Sequence, residues 1–520
     1  MPEMMHDLLN EPLLAWRDAG GTVAKTTLPG LLARLGDGSC ADFPRTRPHQ
    51  HHPWAMFLTQ LAVHALKRGG ATDPRQSEAW WRDQLLALSG GDGAAWHLVV
   101  EDLNKPAFLQ PPVPEGALVK KAKAGKSGVP WEAIEHPDEL DILVTSKVHD
   151  VKESVIAPSD IEAWIYALVA LQTIQGYPGR GYNGVARMNG GYGNRPRIGI
   201  SPGIDPARRF VRDVAVMIEE WPKLTKGRGF VDAGAGVVWI LPWDGAGSLA
   251  LKDLAPHFIV VCQRVRLERA AGGLAARRTT SETRRCAPEV DKGDVGDAWI
   301  PVNSEEASAF TAGPSGFSYD KLAALLFHDG YRAAPAQNPR PGDAEVMWLV
   351  ASALARGQGK TAGLHERRLR LLEPVRRRLA KPETRDAMAG RAKERVARAE
   401  HLRSKVLYPA LCQLARGDEV PKDIFDDRVD ELFFKELFAA AEIGDAPAKT
   451  AWDVTLLELA ERELARAIET WPLPDARHYR AIAAATGMFA GCARKQAPDA
   501  WAVLHPRSDE EASQPTGDPA

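Results

Sequence analysis

Apolar residues recur at helical spacing in several separate stretches of the chain. Trp54, Phe57, Leu58, Leu61 and Leu66 fall near a 3.6-residue period that stops at Gly69-Gly70, which predicts a helix. Ile161, Trp164, Ile165, Leu168 and Leu171 predict another over 159–176, with Ser159 or Asp160 as its cap. Residues 206–224 and 318–332 read the same way. From 363 to 505 the pattern is almost wholly helical: Met388, Ala392, Val396, Ala399, Leu402 and Val406, then Val429, Leu432, Phe433 and Leu437, then Val454, Leu457, Leu464 and Ile468. Breaks at Pro409, 417–421, 444–447 and Pro472-Leu473-Pro474 divide this part into four helices with short loops, so an antiparallel four-helix bundle is expected.

The remaining segments are less regular. Residues 1–45 read as short strands and a short helix, punctuated at Pro29-Gly30 and Gly36-Asp37-Gly38. GVVWILPWDG and PHFIVVCQRVRLERA read as short buried strands, and the arginine-dotted AARRTTSETRRC that follows as a hairpin or loop. EVMWLVASALAR reads as helix more than strand. Residues 118–158 form a long connection that carries Lys120, Lys121, Lys123 and Lys126, the kind of segment where function sits. The predicted fold class is therefore α+β: a large mixed α/β N-terminal domain (1–363), a C-terminal four-helix bundle (364–505) and a polar tail (506–520) expected to be disordered.

Composition changes this picture little. In 520 residues, 26% are charged and 44% hydrophobic, as in an ordinary soluble globular protein. The net charge of −2 gives no global signal for nucleic acid. The local signal is stronger: Arg356 to Lys405 holds 16 Lys and Arg against 6 Asp and Glu, the footprint expected of a basic helix that meets a phosphate backbone. Five scattered cysteines without a CxxC pair fit a reducing, cytoplasmic setting. No signal peptide or run of about 18 apolar residues is seen, so no membrane is expected.

Three motifs invite chemistry. Gly359-Lys360-Thr361 resembles the end of a phosphate-binding P-loop, but the first glycine of GxxxxGK[ST] falls on Leu354 and no clear partner aspartate follows. A P-loop-like NTPase using these residues is the enzyme alternative. Gly179-Arg180-Gly181-Tyr182-Asn183-Gly184 formally matches GxGxxG, yet a helix precedes it and more glycine follows, so a dinucleotide site is rejected. What remains is a loop whose backbone can approach a ligand closely, among arginines (Arg180, Arg187, Arg195, Arg197) suited to phosphate. His49, His51 and His52 lack a cysteine or carboxylate at ligand spacing, and a polar helix entry is the expectation there. No catalytic triad, carboxylate pair or metal motif appears, so neither catalysis, metal nor cofactor is predicted.

Taken in order, RPHQHHPWAMFLTQLAVHAL, KPAFLQPP, DILVTSKVHDVK, GYPGRGYNGVARMNGG, WILPWDG and ARGQGKTAGLHERR resemble the CasA family, the large subunit of the type I-E CRISPR Cascade complex. The resemblance implies a non-catalytic subunit that works with crRNA and other Cascade subunits. It would recognise a protospacer-adjacent motif in double-stranded DNA from the minor groove, wedge the duplex open for R-loop formation and help recruit a helicase–nuclease. Position by position, the glycine loop falls on Gly179 to Gly184. The wedge falls on Gln358, Gly359, Lys360 and Thr361, with Arg367 and Arg368 near the backbone it opens. A basic finger is expected within 277–292, with Arg284 and Arg285 as candidates. The guide-contacting loop falls on Thr145, Ser146, Lys147, His149 and Lys152.

Overall fold

A computed structural model describes residues 6–120, 128–142, 160–358, 360–416, 419–420, 423–443, 448–471 and 475–506. The chain is a mixed α+β protein. It divides into two compact units, one comprising Met1–Phe317 and Gly330–Leu372, the other Ser318–Asp329 and Glu373–Ala520.

The first unit is built around helices that are apolar on nearly every face. Pro48–Arg68 opens on a proline in its first turn and is buried from Pro53 through Leu66, so it runs through the core rather than over it. Ile161–Ile174 is equally buried, and the Asp160 carboxylate caps it by accepting from the Ala163 N–H at 2.8 Å. Pro206–Arg228 begins at Asp205, whose carboxylate accepts from the Arg208 N–H, and ends at Gly229 with φ +78°. Trp54, Trp81, Trp96, Trp164, Trp239 and Trp299 are fully buried.

Two three-stranded sheets carry the segments of interest. In one, Gly273–Thr279 lies between Glu132–Ile134 and Arg264–Ala270, antiparallel to both. In the other, Met347–Gly357 lies between Arg197–Ser201 and Lys360–Leu371. This overturns the helical reading of EVMWLVASALAR. A central strand is buried on both faces, as Leu349 to Ala355 are, and so shows a continuous apolar run without the alternation that would reveal it. It also overturns the basic helix after Gly363. Residues 360–371 are an edge strand whose Glu366, Arg368 and Arg370 are exposed, the charged dressing that keeps an open edge from pairing with another chain.

The second unit is helical among the described residues. It takes in Tyr319–Phe327 and then Glu373–Leu379, Pro382–Leu402, Tyr408–Ala415, Asp423–Ile443, Ala448–Thr470, Asp475–Gln496 and Pro498–Leu504. Val429, Phe433, Trp452, Leu456 and Ala460 are buried there. Arg398 ties three helices through both oxygens of Asp453 (2.7 and 2.8 Å) and the Gln496 carbonyl (2.9 Å). Pro409 does not break the chain as expected. A π-helical turn, Arg403–Leu407, joins the helices on either side, and the Tyr408 N–H reaches back five residues to the Arg403 carbonyl. A widened turn accommodates a residue that has no N–H and would crowd the carbonyl four positions earlier. The tail lies outside the described residues from 507 onward. No described helix is long and apolar enough to cross a membrane.

Candidate nucleic-acid interface

The glycine loop is fastened to the face of the Gly273–Thr279 strand and its continuation. The Gly181 carbonyl accepts from the Ser281 N–H at 2.8 Å, and the Asn183 amide donates to Ser281 Oγ at 3.0 Å. Gly181 sits at φ +83°, and a Cβ there would lie 2.7 Å from the Thr280 methyl, so only glycine fits. Gly184 is packed backbone to backbone, with a Cβ position 2.6 Å from the Gly176 carbonyl carbon. Inside the loop the Tyr182 N–H returns to the Gly179 carbonyl at 3.0 Å. The loop is thus a tight, anchored turn.

Alternation along the strand puts Arg278 and Thr280 on one face. Arg278 lies 4.9 Å from the Tyr182 ring centroid and donates to Glu132 at 3.1 Å, while the Tyr182 hydroxyl donates to the same carboxylate oxygen at 3.2 Å. Burial pushes the Tyr182 phenol above its ordinary pKa, against the Arg278 charge beside it. Lys120 Nζ donates to Thr280 Oγ1 at 2.7 Å. Arg180 is exposed. Lys120 belongs to the lysine-bearing connection, and Arg278 and Thr280 lie within the 277–292 stretch expected to hold a basic finger, whereas no sequence signal points to Glu132. The period-two pattern of AARRTTS places Arg278 with Thr280, but only the fold puts that face under the glycines.

Arg187, Arg195 and Arg197, read as phosphate ligands, point the other way. All three are buried. Arg187 and Arg195 share the Asp297 carboxylate at 3.2 and 2.6 Å, and Arg197 donates to Asp213 at 2.8 Å. Burial lowers the pKa of Arg187 to about 10 and that of Arg195 in the same direction, with Asp297 opposing both shifts. These residues brace the core. Arg285 is likewise buried, donating to the carbonyls of Leu241, Pro242 and Gly247 beside the Trp243 ring. Its guanidinium is committed to protein carbonyls and is unavailable to DNA, a correction to its candidacy. Arg284 is half-buried, with a 3.3 Å bond to the Val290 carbonyl.

The Gln358–Thr361 segment is the end of the Met347–Leu371 hairpin. Gly357 pairs with Lys360, and the register shifts between Ala355 and Arg356, where a bulge interrupts the pairing. Gln358 and Lys360 are exposed and Thr361 is half-buried. Gly359 lies outside the described residues. A P-loop needs a helix N-terminus after its Lys-Thr to cradle phosphates. Here a strand follows, with its backbone in a sheet ladder, which removes the physical basis of the NTPase alternative. Arg367 donates to the Phe317 carbonyl at 3.0 Å, and Arg368 is exposed. Thr145, Ser146, Lys147, His149 and Lys152 lie outside the described residues.

The histidine cluster is divided by its helix. His49 meets Asp141 at 2.6 Å in the interior, His52 is buried, and His51 turns toward Asp42. No group of three or more potential metal ligands gathers among the described residues.

No family model and no curated protein matches the sequence. Solved structures do. Cse1 from Acidimicrobium ferrooxidans, described as a CRISPR-associated protein, matches over 97% of this chain and 100% of its own, with TM-score 0.64 and 16% identity. Thermus thermophilus CasA (Cse1) matches over 95% and 100%, with TM-score 0.60 and 14% identity. A chain of a CRISPR RNA-guided surveillance complex matches over 93% and 99%, with TM-score 0.54 and 14% identity. Nearly the whole chain, from the buried helices of the first unit to the helices of the second, therefore shares the fold of the Cse1 (CasA) CRISPR-associated proteins.

Proposed function

We propose that this protein is the Cse1-like large subunit of a crRNA-guided surveillance complex and that it reads a short motif in double-stranded DNA. The observation that carries the reading is the anchored glycine loop within a fold matched almost end to end by Cse1 structures. A backbone without side chains can enter the minor groove, where base information is degenerate and a few close contacts give loose motif recognition. Arg180 supplies charge at the loop, and Lys120 and Arg278 lie beneath it. The hairpin end at Gln358–Thr361 is the wedge. A strand pair rooted in the core is a stiff support for a group that must unstack base pairs, at a cost of a few kcal/mol. Pairing between guide and target then offsets that cost. Arg368 and Arg370 line the route of the opened backbone. The segment around residues 145–152 contacts the guide, and the C-terminal helices, arranged as a four-helix bundle, help recruit the helicase–nuclease. The subunit itself has no catalytic role, and the complex works in the cytoplasm.

The test is a gel-shift series with the complex reconstituted from crRNA and its subunits. Motif-bearing duplex should bind well above a scrambled-motif control. A Lys360→Ala/Thr361→Ala variant should assemble normally yet lose R-loop formation, read by permanganate footprinting. Equal binding of both duplexes by the intact complex rejects the reading.

A further inference from the structure

The arginines at the glycine loop are not equally available. Arg180 is exposed, and neither an ion pair nor a hydrogen bond engages it among the described residues. Arg278 is different. It stands directly across the sheet from Glu132 in the antiparallel register, with Nη2 3.1 Å from Glu132 Oε2. Its guanidinium covers the Tyr182 ring, and its Nε is buried without a hydrogen-bond partner. Glu132 also holds the Tyr182 hydroxyl. One carboxylate therefore occupies both the arginine and the tyrosine of the loop platform, and it leaves one guanidinium donor unmet.

A carboxylate that takes one edge of a guanidinium is the closest protein equivalent of a phosphate oxygen. A backbone phosphate can do better, because it is able to accept from two donors of the fork at once. Resting on the functional reading above, we propose that Glu132 is an internal phosphate surrogate that restrains Arg278. Duplex backbone arriving at the glycine loop displaces it, and Arg278 becomes a phosphate ligand of the interface. The Glu132 side chain is 56% exposed, so the pair is weak enough to exchange. It sits on the edge strand Glu132–Ile134, where its release disturbs no central ladder. The device restrains the sequence-independent part of binding, because any duplex, with or without the motif, must first break this contact.

The experiment measures affinity of the reconstituted complex for motif and scrambled duplexes across a salt series, using Glu132→Gln, Arg278→Gln and the double variant. Glu132→Gln should tighten binding to both duplexes by about two- to fivefold, the worth of one exposed ion pair. Arg278→Gln should weaken both and reduce the slope of log K against log salt by about 0.9, one phosphate contact. In the Arg278→Gln background, Glu132→Gln should add nothing. An equal gain in both backgrounds would mean a simple change of net charge and overturn the proposal, as would an unchanged affinity in Glu132→Gln. Assembly and thermal melting of each variant identify a damaged sheet, and in that case Tyr182→Phe, which removes only one claim on Glu132, gives the deciding readout: no change or slightly weaker binding supports the surrogate, tighter binding overturns it. Loss of motif discrimination by the unmodified complex would instead reject the functional reading itself.

Discussion

The stretch from Gly176 to Ser201 and the hairpin from Met347 to Leu371 are both rich in glycine and arginine, and they use the two residues in opposite ways. In the first, glycines bring backbone against backbone, and Arg187, Arg195 and Arg197 turn inward to Asp297 and Asp213. In the second, the apolar strand goes inward, and Arg368, Arg370 and Lys360 remain exposed. Depth decides the role. A guanidinium withdrawn from water needs a protein partner for its charge, so it becomes a brace. One left at an edge keeps its donors for a partner.

The buried arginine braces of the first stretch are the most sensitive to substitution. Asp297→Ala leaves two buried arginines without their shared carboxylate and should destabilise the first unit by about 3–5 kcal/mol, measured by urea unfolding. Acid should attack the same region. Burial, with Arg187 as a further cause, lowers the pKa of His64 to about 4 and of His257 to about 3. Both are neutral in either state above pH 6.5. Below it the unfolded chain takes up protons that the folded one refuses, so stability falls as pH drops from 6.5 toward 4. Melting temperature followed over that range should decline, and His64→Asn should flatten the decline.

Glycine substitutions separate the two regions next. Gly176→Ala would place a Cβ 2.2 Å from the Gly193 carbonyl oxygen and should cost about 1–3 kcal/mol. Gly181→Ala, strained at φ +83° and pressed on Thr280, should cost about 1–2 kcal/mol and weaken duplex binding together. Gly357→Ala meets only the Lys360 side chain at 3.6 Å and should change stability by no more than about 0.5 kcal/mol. Should Gly357→Ala prove as damaging as Gly176→Ala in thermal melts, the contrast between a packed loop and an open hairpin end is wrong.

Much of the helical framework was legible because amphipathic period and capping chemistry are local. Asp160 before Ile161, and Gly69-Gly70 after the helix that carries Trp54, are signals carried within a few residues. The Met347–Leu371 hairpin was not legible. Its inner strand is buried on both sides and so carries no period. Its outer strand places Arg367 and Arg368 in adjacent positions whose faces only the pairing register assigns. The fate of the arginines was hidden for a related reason. Arg187 and Asp297 are 110 residues apart, and no local pattern announces that such a pair will meet.

Local pattern alone marks an α+β chain with a helical C-terminal part, a glycine loop preceded by a helix, and a basic excess near residues 356–405. Those are properties of neighbouring residues and of summed charge. Packing between distant segments makes Lys360 open a strand rather than a helix, turns Arg285 and Arg187 to the core, and brings Glu132 and Arg278 together on the platform beneath Gly181 and Tyr182. These depend on strand register and burial, which arise when segments distant along the chain compete for the same interior.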